Sequence, residues 1–217
     1  MSPSNCDLRY VCRVGRNRIV AWVVSVSGLA LIAVLVCGIS LYNTIEPRGI
    51  VIHHSAVPMS LNRGPIDRTT LDAIHARRGF RAFYWGKVYH VGYHYVILPD
   101  GTVQAGRPEH LRGAHASGYN SFIGVCLVGD FSHSDNPDGR YGPVEPAKAQ
   151  MTALRELCLR LERKYEIPPD HIFQHRDLDR HTQCPGDRFP WRTFITEVRT
   201  NQLERAQPEL RKEESAK

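Results

Sequence analysis

The sequence predicts an α/β fold: a single domain with a mixed central β-sheet flanked by helices, preceded by one N-terminal transmembrane helix. Three observations carry that expectation. Short apolar runs of strand length alternate with amphipathic helical stretches, the pattern of a sheet covered by helices. A hairpin signal, Pro99-Asp-Gly101 between two strand-like runs, interrupts the alternation and makes the sheet mixed. From Ile19 to Tyr42 there is no charged residue. At about 1.5 Å per residue that run spans about 36 Å, against a hydrocarbon core of about 30 Å.

The flanks orient the apolar run. Arg9, Arg13, Arg16 and Arg18 precede it and only Glu46 and Arg48 follow closely, so the positive-inside bias places the N-terminus in the cytoplasm and the body outside it, on the periplasmic or cell-wall side. Trp22 and Tyr42 lie near its two ends, where aromatic rings favour the interface. A cleaved signal peptide is the alternative, with Gly28-Leu-Ala30 as a small-x-small site, but the apolar run continues well beyond it. Val36 before Cys37 is larger than lipoprotein processing normally wants. The expected organisation is a cytoplasmic arm 1–18, a signal anchor 19–42, a linker 43–48, a domain 49–200 and a charged flexible tail 201–217.

Charge and cysteines narrow the function classes. The formal net charge is +6, and half of it sits in the arm, with its four arginines and one aspartate. The rest shows no basic stripe interleaved with aromatics, so no nucleic-acid partner is expected. Of the six cysteines, only Cys126, Cys158 and Cys184 fall in the body. Cys126 lies in an apolar strand and Cys158 on a helix; they are read as buried thiols, with a disulfide as the alternative. Cys184 is then the odd one, suited to a ligand or a reactive thiol.

The body reads in order as follows. Gly49 to His54 is a buried strand, and strand alternation lets only one of His53 and His54 face a given site. Ile66 to Arg78 is helical, with Ile66, Leu71, Ile74 and Ala73 inward and His75 packed or on the surface. Val91 to Leu98 and Thr102 to Gly106 form the hairpin. Gly113 to Asn120 is a polar glycine-bearing loop feeding Phe122 to Val128, a continuous apolar run expected as a central strand. Phe131 to Pro143 is a loop. A helix runs from Pro146 to about Tyr165, with Met151, Leu154, Leu157, Cys158 and Leu161 on one face. His171 to Gln174 is a short strand, and a last short helix follows Trp191.

One stretch carries the strongest chemistry. His175 and Cys184 stand nine residues apart across polar residues, closed by the turn signal Pro185-Gly186. Imidazole plus thiolate suits zinc better than calcium or magnesium, and a catalytic zinc takes three protein ligands with the fourth position open. The His53-His54 pair is the best source of a third ligand. By spacing alone, a free buried thiol beside a surface histidine remains the alternative.

Six ordered blocks extend that reading: Ile50-Val-Ile-His-His-Ser-Ala, Gly92-Tyr-His-Tyr-Val-Ile, Asp100-Gly-Thr-Val, Gly113-Ala-His-Ala-Ser-Gly-Tyr-Asn, Ile123-Gly-Val-Cys-Leu-Val-Gly and His175-Arg-Asp with Thr182-Gln-Cys-Pro-Gly. Together they resemble the type-2 N-acetylmuramoyl-L-alanine amidases, a family including phage endolysins and animal peptidoglycan recognition proteins. The resemblance covers about 49–200. It implies hydrolysis of the amide joining N-acetylmuramic acid to the L-alanine of the peptidoglycan stem, with one zinc ion held by His53, His175 and Cys184. It also implies catalytic roles for Tyr93, beside the metal water, and Thr182, facing the developing oxyanion; as a neutral donor Thr182 should stabilise it less than the lysine some members carry. His115 and Asn120 fall in a loop bordering the substrate groove. His54 should face away, and His94 should point to the strand face opposite Tyr93. Peptidoglycan or muropeptide is the expected partner. The rival reading is a non-catalytic sensor of wall fragments signalling through the anchor; family members that only bind lack the cysteine ligand, which is present here.

Overall fold

The computed structural model describes Gly28 and residues 31–35, 44–57, 60–61 and 64–215. The chain divides after Tyr42 into two units. In the first, Gly28 and residues 31–35 are helical, with Leu31, Ile32, Val34 and Leu35 exposed. The expected anchor 19–42 and arm 1–18 fall mostly or wholly outside the described residues. Among those described, no helix is long and apolar enough to cross a membrane.

The second unit runs β1 (Ile50–His54), β2 (Ser60–Leu61), β3 (Gly64–Pro65), α1 (Arg68–Arg77), β4 (Ala82–Tyr84), β5 (Lys87–Tyr89), β6 (Tyr95–Ile97), β7 (Val103–Ala105), β8 (Ile123–Leu127), α2 (Lys148–Tyr165), β9 (Ile172–Gln174), α3 (His175–Leu178) and α4 (Trp191–Ser215). Its main sheet has the order β7-β6-β8-β1-β9. Only the β6–β7 hairpin is antiparallel, so the sheet is mixed as expected. Gly101 sits in the hairpin turn at φ +88°, a conformation that costs a residue with a Cβ about 1 kcal/mol or more.

Alternation along the central strands sorts the side chains between two cores. Ile50 and Ile52 of β1 and Ile123, Val125 and Leu127 of β8 pack with Leu154, Leu161 and Phe194, beneath α2 and α4. The opposite face carries Cys126 and Val96 against Ile66 and Leu71. His53 has the parity of the second face, beside Cys126 in the β1–β8 register. His54 has the parity of the first. Burying each large aliphatic here contributes about 1.5–3 kcal/mol before the entropy of ordering is subtracted, and that is what holds the strand parity.

Helix ends follow local chemistry. Asp67 caps α1 by accepting from Thr70 N at 2.8 Å, a contact worth about 1 kcal/mol. At the start of α2, Ala147 N donates to Gln150 Oε1 at 3.1 Å. Gln150 Nε2 then donates to Ile97 O and Val128 O, joining the helix to the ends of β6 and β8.

Several expectations change. Ala73 is exposed, and His75 takes its place inward with Leu71. The strand near Tyr93 begins only at Tyr95; just before it, Gly92 O accepts from Ala114 N of the 113–120 loop, a close approach in which a Cβ on Gly92 would lie 2.2 Å from Ala114 O. The β4–β5 hairpin was not anticipated; its turn places Trp85 and Gly86 at positive φ. The linker 43–48 is docked, with Thr44 bridging Leu111 and Ile45 N donating to His110 O at 2.7 Å. The charged segment expected as a flexible tail over 201–217 continues α4 as helix to Ser215, in keeping with its Glu, Arg, Leu and Gln content.

Candidate metal centre and substrate cleft

The ends of two neighbouring parallel strands bring the first two donors together. β1 and β9 pair with Ile52 opposite Gln174, so the next residues of each strand, His53 and His175, emerge side by side. Their rings are 4.6 Å apart between centroids. His175 then opens the single-turn α3, where a loop was expected. Arg176 N donates to Cys184 O at 2.8 Å and Gly186 N to Gln183 O at 2.7 Å, which folds the 176–184 segment back over β1. Gly186 permits that closure: it sits at φ +103°, and a Cβ there would meet Phe131 C and O at 2.4 Å.

The result is one cluster. His53, His175 and Cys184 each present a donor atom, and these atoms lie within 4.8 Å of one another. Cys184 Sγ is 3.6 Å from His53 Nδ1. Two ligands of a tetrahedral zinc, at about 2.3 Å for sulfur and 2.0–2.1 Å for nitrogen, stand roughly 3.5 Å apart, so the Cys184–His53 separation already fits the ion. The donor chemistry fits as well. Burial pushes the Cys184 thiol up to about 12, partly offset by the His54 backbone N–H, which donates to Sγ at 3.3 Å. Without a cation this thiol keeps its proton; a bound cation is what would make it a thiolate. Burial and the His115, His175 and His54 rings hold His53 well below the usual imidazole range, so it is neutral at pH 7, the form that can donate to a metal.

His54 faces the other core, as its parity requires. Its Nδ1 accepts from Phe131 N at 3.2 Å and lies 3.7 Å from Asp130 Oδ1. His94 is fully buried, with Nδ1 accepting from Gly124 N at 2.9 Å. Cys126 and Cys158 are free buried thiols. His133 and His181 are exposed, whereas His171 is half-buried and bonded to Arg48 O.

A cleft of about 470 Å³ opens beside the cluster, lined by His75, Arg78, Tyr93, His115, Asn120 and His175 among others. The Tyr93 ring packs tilted against the His53 ring, 5.1 Å between centroids. Burial, with the Cys126 and Cys184 thiols nearby, raises its phenol well above the ordinary range, so it is neutral at any physiological pH. Thr182 is not among the residues lining the cleft; its Oγ1 accepts from Cys184 N at 3.2 Å, which leaves the hydroxyl proton free. His115 Nδ1 lies 3.0 Å from His53 Nε2, a link that the sequence did not reveal because the two residues are 62 positions apart. Asn120 Oδ1 accepts from His115 N and Ala116 N at 2.8 and 3.1 Å.

The buried imidazoles make the fold acid-sensitive. Burial lowers both His75 and His94 to about 4, against about 6.5 in an unfolded chain. Between those values the unfolded state binds more protons, so the stability these groups contribute is complete above pH 6.5 and is lost as pH falls toward 4. For fully buried His94 the loss by pH 5 is about 2 kcal/mol; His75, which borders the open cleft, adds less. Chelator-treated protein should therefore unfold at clearly lower urea at pH 5 than at pH 7. Equal midpoints would contradict these assignments.

Comparison with known proteins adds an independent line. Residues 43–187 match the family described as N-acetylmuramoyl-L-alanine amidase. The endolysin of Escherichia phage T7 is 49% identical over 77 residues, 35% of this chain and 48% of that protein. Peptidoglycan-recognition protein LB of Drosophila melanogaster is 28% identical over 147 residues, 64% of this chain and 55% of its own length. This chain thus spans about half the length of the curated relatives it matches. Among solved structures, the N-acetylmuramoyl-L-alanine amidase LysC from Clostridium intestinale superposes with a TM-score of 0.56 at 32% identity, over 71% of this chain and 87% of that one.

Proposed function

This chain belongs to the N-acetylmuramoyl-L-alanine amidase family, and from that premise we propose that it is a zinc-dependent amidase cleaving the bond between N-acetylmuramic acid and L-alanine in peptidoglycan. The observation that carries the reading is the His53, His175 and Cys184 cluster, its donor atoms within 4.8 Å, beside an open cleft. A zinc ion held there would acidify a water and polarise the amide carbonyl. The chain's own residues do the rest. His53 and His175 remain neutral donors, and the His54 N–H supports the Cys184 sulfur. Tyr93 orients the attacking water and shuttles the proton that water loses to the departing amine, so its phenol ends the step neutral. Thr182 lies outside the cleft lining, but its place two residues before Cys184 and its free hydroxyl proton make it the candidate donor to the oxyanion. His115 and Asn120 border the glycan and stem-peptide path through the cleft. A pure binder needs no complete ligand set, so the intact cluster favours catalysis over fragment sensing. The test is mass-spectrometric release of free stem peptide from purified peptidoglycan by the full chain. Binding without release would sink the proposal.

The uncharged run Ile19–Tyr42, with its arginine-rich N-terminal flank, supports a membrane-anchored amidase with the catalytic domain outside the cytoplasm. The full chain should sediment with membranes and resist extraction by alkaline carbonate. Recovery in the soluble fraction would overturn the anchor.

A further inference from the structure

The hydrogen-bond chain behind His53 has a direction. Phe122 O, a carbonyl, can only accept, and it lies 3.1 Å from His115 Nε2. His115 Nε2 therefore carries the proton. In a neutral imidazole the other nitrogen then accepts, and His115 Nδ1 lies 3.0 Å from His53 Nε2. The proton between the two rings belongs to His53 Nε2. That leaves His53 Nδ1 bare, and Nδ1 is the atom standing 3.6 Å from Cys184 Sγ.

The surroundings hold the His115 ring in this pose. A Cβ on Gly113 would lie 2.4 Å from His115 Cδ2, and one on Gly124 would lie 2.5 Å from the same atom. Gly124 follows the alternation of β8 onto the His53 face, one residue before Val125 and two before Cys126, so its missing side chain is the space the ring occupies. Asn120 grips the backbone on either side of the 115–116 bond. Both ring nitrogens of His115 are consequently committed, one to Phe122 and one to His53, and neither is free to bond a substrate.

We propose that His115 is a positioning residue of the metal centre: by accepting the His53 Nε2–H it fixes the tautomer and ring angle that aim His53 Nδ1 at the ion. This rests on the zinc reading above, and it gives His115 a function beyond bordering the cleft. Hydrogen-bond partners of metal-bound imidazoles typically change metal affinity by about 10–100-fold when lost.

The experiment compares the full chain with His115→Leu, which fills the space without an acceptor, and His115→Gln, whose amide supplies one acceptor and one donor. Zinc affinity is measured by competition with a chromogenic chelator, and folding is checked by thermal unfolding of the zinc-free proteins. His115→Leu should bind zinc about 10–100-fold more weakly while still folding, with His115→Gln recovering most of the loss. Unchanged affinity in His115→Leu would overturn the proposal. A second readout needs no metal: long-range proton–nitrogen NMR spectra of the zinc-free parent should show His53 as the Nε2–H tautomer, and His115→Leu should lose that preference. An Nδ1–H tautomer in the parent would equally overturn it. Should the parent fail to bind zinc, the metal reading falls, and the tautomer measurement still decides whether His115 governs His53.

Discussion

Cys184→Ala in the full chain is expected to abolish release of stem peptide from peptidoglycan and to weaken zinc binding severely. The thiol is one of three donors within 4.8 Å of one another, it is buried, and alanine offers no donor in its place. Loss of a Lewis acid at the reacting carbonyl removes several kcal/mol of transition-state stabilisation, and each 1.36 kcal/mol is a factor of ten in rate. The fall in kcat should be on the order of 1000-fold or more. The fold should survive, since Cys184 lies outside both hydrophobic clusters. A folded Cys184→Ala protein that still releases stem peptide at the parental rate would remove the metal from the mechanism.

Tyr93→Phe should separate chemistry from metal binding. The ring packs 5.1 Å from His53 and 5.4 Å from His75, and phenylalanine preserves those contacts. Only the hydroxyl is lost, the proton shuttle of the proposed mechanism. The expected result is a fall in kcat of about 100-fold or more, with zinc affinity close to that of the parent. A parental kcat would reduce Tyr93 to packing. An equal loss of zinc affinity would mean that the hydroxyl acts through the ligand cluster instead.

The candidate site was legible in uneven degrees. The ordered motif blocks pointed to His53, His175, Cys184 and Tyr93, and the structure gathers three side chains that could hold a metal and sets Tyr93 against His53. Alternation along a single strand was enough to turn His54 away from His53. The second tie of His115 was not readable, because it depends on which strand lies beside β1 and in what register. Gly124 looks like any glycine in an apolar run; only its place on the His53 face, under the His115 ring, explains why a side chain there would be excluded. The β4–β5 hairpin was missed for a different reason: each of its strands is three residues long, too short for a period-2 pattern to stand out.

What the sequence by itself determined is the inventory and its local periodicities: the central apolar strands, the amphipathic α1 and α2, the Asp-Gly hairpin, and the residue types of a zinc site. These depend on neighbours within one or two turns of chain, where side-chain periodicity and backbone preference act directly. The tertiary structure alone decided that His53 and His175 emerge from paired strands, that the 176–184 segment closes back to bring Cys184 onto them, and that His115 stands behind His53. Those contacts join residues up to 131 positions apart. They are set by strand pairing and by the burial of two faces of one sheet, which no local pattern encodes.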